Sequence, residues 1–223
     1  MPAVADIPSF AVEQASPNLS ARQADVFERL IVLALEHGFA GYTMEQAAIA
    51  LRCSKSTIYA LAGSREQLIR AVVVAFFREA AERVEKRLAL ETDPVRRIQV
   101  YLLAVADELR PASAQFMDDV AGFPPAREIY ERNTAIASER VRQLIVDGIA
   151  HDAFRDVPTA FIAEVVSSVM VRIQQREVAK NTGLSDAEAY ADLANLVVNG
   201  IIKPGWRQRA AQLLGTRTMR ASP

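Results

Sequence analysis

The sequence predicts an all-α protein of about nine helices, a small three-helix unit followed by a larger helical body. Three observations predict it. Alanine, the strongest helix former, occurs 38 times in 223 residues, whereas glycine occurs 9 times. Apolar residues recur at three- and four-residue spacings through one segment after another. Capping side chains stand at the start of those segments, and no window alternates apolar and polar residues as a half-buried strand would.

The elements follow in order. Residues 1–19 hold three prolines and no sustained period, and are expected to be a mobile tail. Ser20 caps a first helix whose apolar positions are Val26, Phe27, Leu30, Ile31, Ala34 and Leu35, and Gly38 stops it. Thr43-Met-Glu-Gln46 is a capping box opening a short helix to about Leu51. Ser54 caps a second short helix to about Leu61, and Gly63 breaks it. Ser64-Arg-Glu-Gln67 opens a long helix to about Leu90, striped by Leu68, Val72, Phe76, Ala80, Val84 and Leu88. Asp93-Pro94 starts the next, to about Glu108. A shorter segment runs from Pro111 to about Ala121, a long one from Ala126 to about Ala150, and another from Pro158 to about Asn181. Ser185-Asp-Ala-Glu188 opens the last, ending near Ile202. Residues 207–223 are expected to form a loose basic tail.

Composition narrows the function. Apolar runs such as Ala71 to Phe77 are too short to cross a bilayer, and no charged-then-apolar secretory leader is evident, so a cytoplasmic location is expected. Cys53 is the single cysteine, which excludes a disulfide framework. His37 and His151 have no cysteine or second histidine at ligand spacing, and no phosphate loop or nucleophile elbow occurs. Neither an enzyme nor a cofactor or metal is expected. The net charge of −1 gives no global case for nucleic acid.

The local case is different. Two short helices joined by about three residues, after one longer helix, have the layout of a helix-turn-helix module. The second short helix begins Ser54-Lys55-Ser56-Thr57-Ile58-Tyr59, offering a cation, three hydroxyls and a phenol where a recognition helix meets base edges. Thr43 and Ser64 stand at helix N-termini, where hydroxyls and backbone N–H groups suit phosphates. Between residues 20 and 65 five cations face four acids, but Arg52, Lys55 and Arg65 gather around the recognition helix. The expected DNA-binding set is Thr43, Arg52, Ser54, Lys55, Ser56, Thr57, Tyr59, Ser64 and Arg65.

The stretch from Gly38-Phe39 through Thr43-Met44, Ala47-Ala48, Cys53-Ser54-Lys55-Ser56-Thr57-Ile58-Tyr59 and Gly63-Ser64-Arg65-Glu66-Gln67-Leu68-Ile69 resembles the N-terminal domain of TetR-family transcriptional regulators. The likeness covers about residues 20 to 75 and is absent at three places. Where the family often has glycine in the helix-turn-helix bend, this chain has Arg52, which takes a left-handed conformation only at a cost. Where the family has His or Tyr and then Phe, it has Leu61 and Ala62. The resemblance implies a homodimer with a DNA-binding domain at 20–66 and a ligand-binding and dimerisation domain at 67–206.

It implies further a pocket in the body and a four-helix dimer interface. Expected liners are Tyr101, Leu102, Phe116, Met117, Phe123, Tyr130, Phe161 and Met170, with an apolar or aromatic ligand. The expected interface, on the helices near 158–180 and 186–202, is Ile162, Val166, Val169, Ile173, Leu193, Leu196, Val197, Gly200 and Ile201. The expected partners are a palindromic double-stranded DNA operator, a second copy of the chain and a small-molecule ligand, with no membrane; the expected activity is a repressor released by that ligand. The alternative is a helical ligand-binding or scaffold dimer whose DNA-reading head no longer reads a site.

Overall fold

The structure is a computed structural model, and it describes residues 19–155, 157–202 and 205. Most of the expected N-terminal tail and the whole C-terminal basic tail lie outside the described residues.

Ser20 caps α1 (Ala21–His37) through a reciprocal box with Gln23, and Thr43 does the same for α2 (Met44–Ala50) through Gln46. Ser54 caps α3 (Lys55–Leu61), accepting from the Thr57 N–H at 3.1 Å. Ser64 caps α4 (Arg65–Ala89). Then follow α5 (Pro94–Leu109), capped by Asp93, and α6 (Ala114–Gly122), capped by Ser113. Phe123 ends α6 and starts α7 (Pro124–Ala150), with proline fixing the backbone of the first turn. The last elements are α8 (Thr159–Gln174), α9 (Glu177–Thr182) and α10 (Asp186–Ile201). Among the described residues there is no strand, only an isolated bridge between Phe154 and Ile202.

Among the described residues ten helices stand where about nine were expected, because the segment from Pro158 to Asn181 is broken in two. The break is at Arg176, whose backbone is left-handed (φ 63°) although it is neither glycine nor asparagine. Its guanidinium explains the turn. Nε donates to Asp118 at 2.8 Å, and an Nη atom is paired with Asp186. Arg176 and Asp186 are 8% and 5% exposed, so this is a buried ion pair tying α6, the α8–α9 corner and the start of α10 together. Burial pushes the Asp186 carboxyl above its ordinary range, and the Arg176 charge pulls the other way.

One apolar core runs through the molecule. Around α1–α3 it is Val26, Leu30, Ala34, Ala47, Leu51, Ile58 and Leu61, closed from below by Leu68, Ile69 and Val72 of α4. The rest fills the space between α4, α5, α7, α8 and α10, with Ile98, Leu102, Leu144 and Ile145 almost fully buried. Helix α4 belongs to both parts. From Arg65 to Ala81 it spans roughly 24 Å at ~1.5 Å per residue, so its first turns meet the small unit and its middle meets the body.

Candidate nucleic-acid interface and ligand cavity

The α2–α3 unit takes its shape from its turn. Leu51 ends α2; the Arg52 N–H donates to the Ile49 carbonyl and the Cys53 N–H to the Ala48 carbonyl, each at 3.0 Å. That pair of bonds with a left-handed residue between is a Schellman ending, normally completed by glycine. Here Arg52 takes it at φ 51° and remains exposed. Arg29 donates to the Leu51 carbonyl at 2.6 Å, satisfying another free end of α2.

Ile58 and Leu61 turn into the core, as the spacing predicts. Leu61 thus stands as a core residue and Ala62 half-buried beneath it. The outer side of α3 is polar. Ser54, Lys55, Ser56 and Tyr59 are exposed and Thr57 is half-buried, with Tyr59 47% accessible. The Ser54 hydroxyl lies 2.8 Å from those of both Ser56 and Thr57, a cluster that satisfies itself in the free protein and has protons to redirect. Lys55 lies 3.4 Å from Glu45 of α2, whose carboxyl is held below its ordinary range by its backbone N–H and by Lys55. Both partners are exposed, so the pair is weak and Lys55 is free to exchange it for a phosphate. Thr43 and Ser64 are exposed at their helix starts.

Arg65 is differently placed. Its guanidinium donates to the carbonyls of Tyr42 (2.8 Å), Phe39 (2.9 Å) and Ala40 (3.0 Å), gripping the α1–α2 loop. From the other side Asp119 of α6 accepts from the N–H groups of Phe39 (2.6 Å) and Ala40 (2.7 Å), while Gln115 donates to its second oxygen at 2.7 Å. Asp119 is 8% exposed. The approach is so close that a Cβ on Gly38 (φ 74°) would meet Asp119 Oδ2 at 2.5 Å. One loop is therefore held by a cation on its carbonyls and an anion on its amides. Nothing in the residue pattern marks Asp119, since its partners are backbone groups about 80 residues away.

In the body a narrow cavity of about 70 Å³ opens between α4, α5, α7 and α10. Its wall includes Phe77, Val84, Glu85, Tyr101, Val105, Glu108, Asn133, Thr134 and Tyr190. Of the expected liners Tyr101 is on this wall, and the others lie elsewhere in the body. Leu102, Met117 and Met170 are solid core. Phe116, Phe123 and Tyr130 belong instead to a series of ring contacts. Phe39 of the loop meets Phe123 at 6.1 Å and Phe116 at 5.8 Å, Phe116 meets Phe76 at 5.5 Å, Phe76 meets Phe77 at 5.0 Å, and Phe77 stacks on Tyr130 at 4.9 Å. Phe161 is 63% exposed on α8. Burial raises the phenols of Tyr101, Tyr130 and Tyr190 above their ordinary range.

The expected interface residues also divide. Val166, Ile173, Leu193, Val197 and Ile201 are buried within the chain itself. Ile162 and Val169 are half-buried, while Leu196 (74% exposed) and Gly200 face outward. Helix α8 exposes Phe161, Val165 and Val171 as well.

Among the described residues no helix is long and apolar enough to cross a membrane, and no group of acidic, histidine or cysteine side chains is arranged to hold a metal.

No family model and no curated protein sequence matches the chain. Solved structures do. A protein of Saccharomonospora viridis described as a transcriptional regulator, in complex with choline, aligns at a TM-score of 0.66 and 16% identity over 83% of this chain and 100% of its own. A fatty acid degradation regulator of Bacillus halodurans aligns at 0.60 and 12%, over 82% and 97%. A TetR-family transcriptional regulator of Thermus thermophilus aligns at 0.58 and 20%, over 78% and 97%. The chain has the all-α fold of TetR-type transcriptional regulators, over nearly the full length of those proteins.

Proposed function

We propose that the chain is a TetR-family DNA-binding transcriptional regulator: a homodimer that represses by occupying a palindromic operator and is released by a small molecule with an apolar body. The observation that carries this is the outer side of α3. A helix whose inner residues are locked in the core presents Ser54, Lys55, Ser56 and Tyr59 to solvent, with Thr57 half-buried beside them and Thr43, Arg52 and Ser64 around it. Such a helix suits a major groove, with hydroxyls and helix starts against phosphates. Arg65 supports the same function by holding the α1–α2 loop.

The outward apolar residues of α8 and α10, Phe161, Val165 and Leu196, support a two-fold interface there. Two copies then present two α3 helices, which a palindrome matches. A ligand in the α4–α5–α7–α10 cavity presses on the helix whose N-terminus holds the loop before α2. Release follows if the ligand favours the state in which the two α3 helices no longer match successive grooves. That one structural neighbour was solved with choline supports ligand binding by this fold.

The test is selection of duplexes from a random pool by the purified protein, followed by gel shift. An enriched palindrome, bound with steep salt dependence and weakened at least tenfold by Tyr59→Ala, is the expected result. A dimer that enriches no sequence overturns the proposal and favours a ligand-binding scaffold with a silent head.

A further inference from the structure

The cavity between α4, α5, α7 and α10 has an unequal wall. Three aromatic rings line it, those of Phe77, Tyr101 and Tyr190, together with two carboxylates, Glu85 and Glu108. Among the described residues no Lys, Arg or His lines it. Each carboxylate has an arginine partner, and neither arginine reaches the wall. Arg140 holds Glu85 with two bonds, at 3.0 and 2.8 Å, and Arg83 holds Glu108 at 2.7 Å. Arg83 is 48% exposed and screened by water, whereas Glu108 is 15% exposed and faces inward. The carboxylates thus border the space with their arginines behind them, and the ring faces beside them attract cations.

A second observation is independent of charge. Thr134, 3% exposed, stands between this cavity and a groove between α7 and α8, and its Oγ1 has no hydrogen-bond partner. Buried hydroxyls are almost always satisfied, so an orphan on a cavity wall marks a place for a ligand atom. Its lone pairs can accept from an N–H.

We infer that this cavity binds a protonated amine on a compact apolar body, with the ammonium drawn to Glu85 and Glu108, an N–H given to Thr134, and the body among Phe77, Tyr101 and Tyr190. The inference rests on the reading of this cavity as the regulator's ligand site. Its volume of about 70 Å³ favours a small head with a short chain. A carboxylate ligand would meet Glu85 and Glu108 with no cation on the wall to receive it.

The probes are n-butylammonium, 1-butanol and pentanoate, titrated into the full-length protein by calorimetry and tyrosine fluorescence. The expected order is n-butylammonium at least tenfold tighter than 1-butanol, with pentanoate weaker still. Glu108→Gln should lower n-butylammonium affinity at least tenfold and leave 1-butanol within threefold. Thr134→Val should lower n-butylammonium affinity several-fold while raising the melting temperature of the free protein, a combination that a purely structural threonine would not produce. If Glu108→Gln fails to fold, Thr134→Val and the three-probe order decide alone. Equal binding of the three probes, tighter binding of pentanoate, or no binding of n-butylammonium at millimolar concentration overturns the inference. The same titrations with operator DNA bound separate the two claims. Amine binding without any operator sinks the regulator and keeps the site. Operator release by the neutral or anionic probe keeps the regulator and sinks the amine.

Discussion

The two halves of this molecule are held by different forces. In the body, helices α4, α5, α7, α8 and α10 bury long apolar stripes against one another, and ion pairs such as Arg176 with Asp118 and Asp186 and Arg140 with Glu85 add to that packing. The α1–α3 unit shares the apolar core through Leu68, Ile69 and Val72 of α4, and its α1–α2 loop is held in addition by directional bonds. Asp119 holds the amides of Phe39 and Ala40, and Arg65 holds the carbonyls of Phe39, Ala40 and Tyr42. Apolar burial tolerates small shifts, whereas a bond of 2.6 to 3.0 Å is kept or broken. A head placed by such bonds is one that a body can re-aim. The Phe39–Phe116–Phe76–Phe77 ring series runs beside them from the loop to the cavity wall.

The largest effect should come from breaking the body. Arg176→Ala leaves Asp186 buried without its cation. Removing one member of a buried pair costs about 3–5 kcal/mol, and urea unfolding should show that loss as one cooperative transition moving to lower denaturant. A loss below about 1 kcal/mol would mean that the corner at residue 176 is held by packing alone. Breaking the head's seat should cost less overall and more locally. Asp119→Ala strips two loop amides of their acceptor, an expected loss of about 2–3 kcal/mol. Hydrogen exchange should quicken at Phe39 and Ala40 first, and operator affinity should fall more than the body's stability does. Uniform quickening through α5 and α10 would show that the two halves are not held separately.

How much of this was legible in the sequence follows from the same division. Helix starts were readable because Ser20, Thr43, Ser54, Ser64, Asp93 and Ser185 cap within a few residues of themselves. The polar side of α3 was readable because Ile58 and Leu61 fix which side is inward. The Arg176 break was not, since its cause is two carboxylates far from it or past a loop, and no glycine or proline marks it. The cavity was hidden for a physical reason. Aromatic periodicity reports which side of a helix is buried, but a void lies where buried faces fail to meet. Phe116 and Tyr130 fill space, whereas Glu85, Glu108 and Thr134 border it. The outward faces of α8 and α10 were hidden for a related reason: Val166 and Ile201 face the chain's own core from the same helices that carry Phe161 and Leu196 outward.

A smaller effect sharpens the contrast by improving the body. Thr134→Val removes a buried hydroxyl that has no partner and keeps the shape, so the free protein should gain about 1 kcal/mol, read as a higher melting temperature. A loss would mean that the hydroxyl is satisfied by water inside the cavity.

The smallest effect belongs to the head. Arg52 occupies the left-handed position that ends α2, where a side chain costs about 1 kcal/mol relative to glycine. Arg52→Gly should therefore stabilise by up to that amount. It also removes an exposed cation beside α3, and the two consequences separate in different measurements. Relief of backbone cost appears in unfolding without DNA. A phosphate left without its cation appears as a salt slope for operator binding that is shallower by roughly 0.9 for each phosphate no longer neutralised. A stabilised variant with an unchanged slope would place Arg52 off the DNA, leaving a strained turn with no return in affinity. A stabilised variant with a shallower slope would show that the chain keeps arginine, at a cost to the turn, for the charge it brings to the interface.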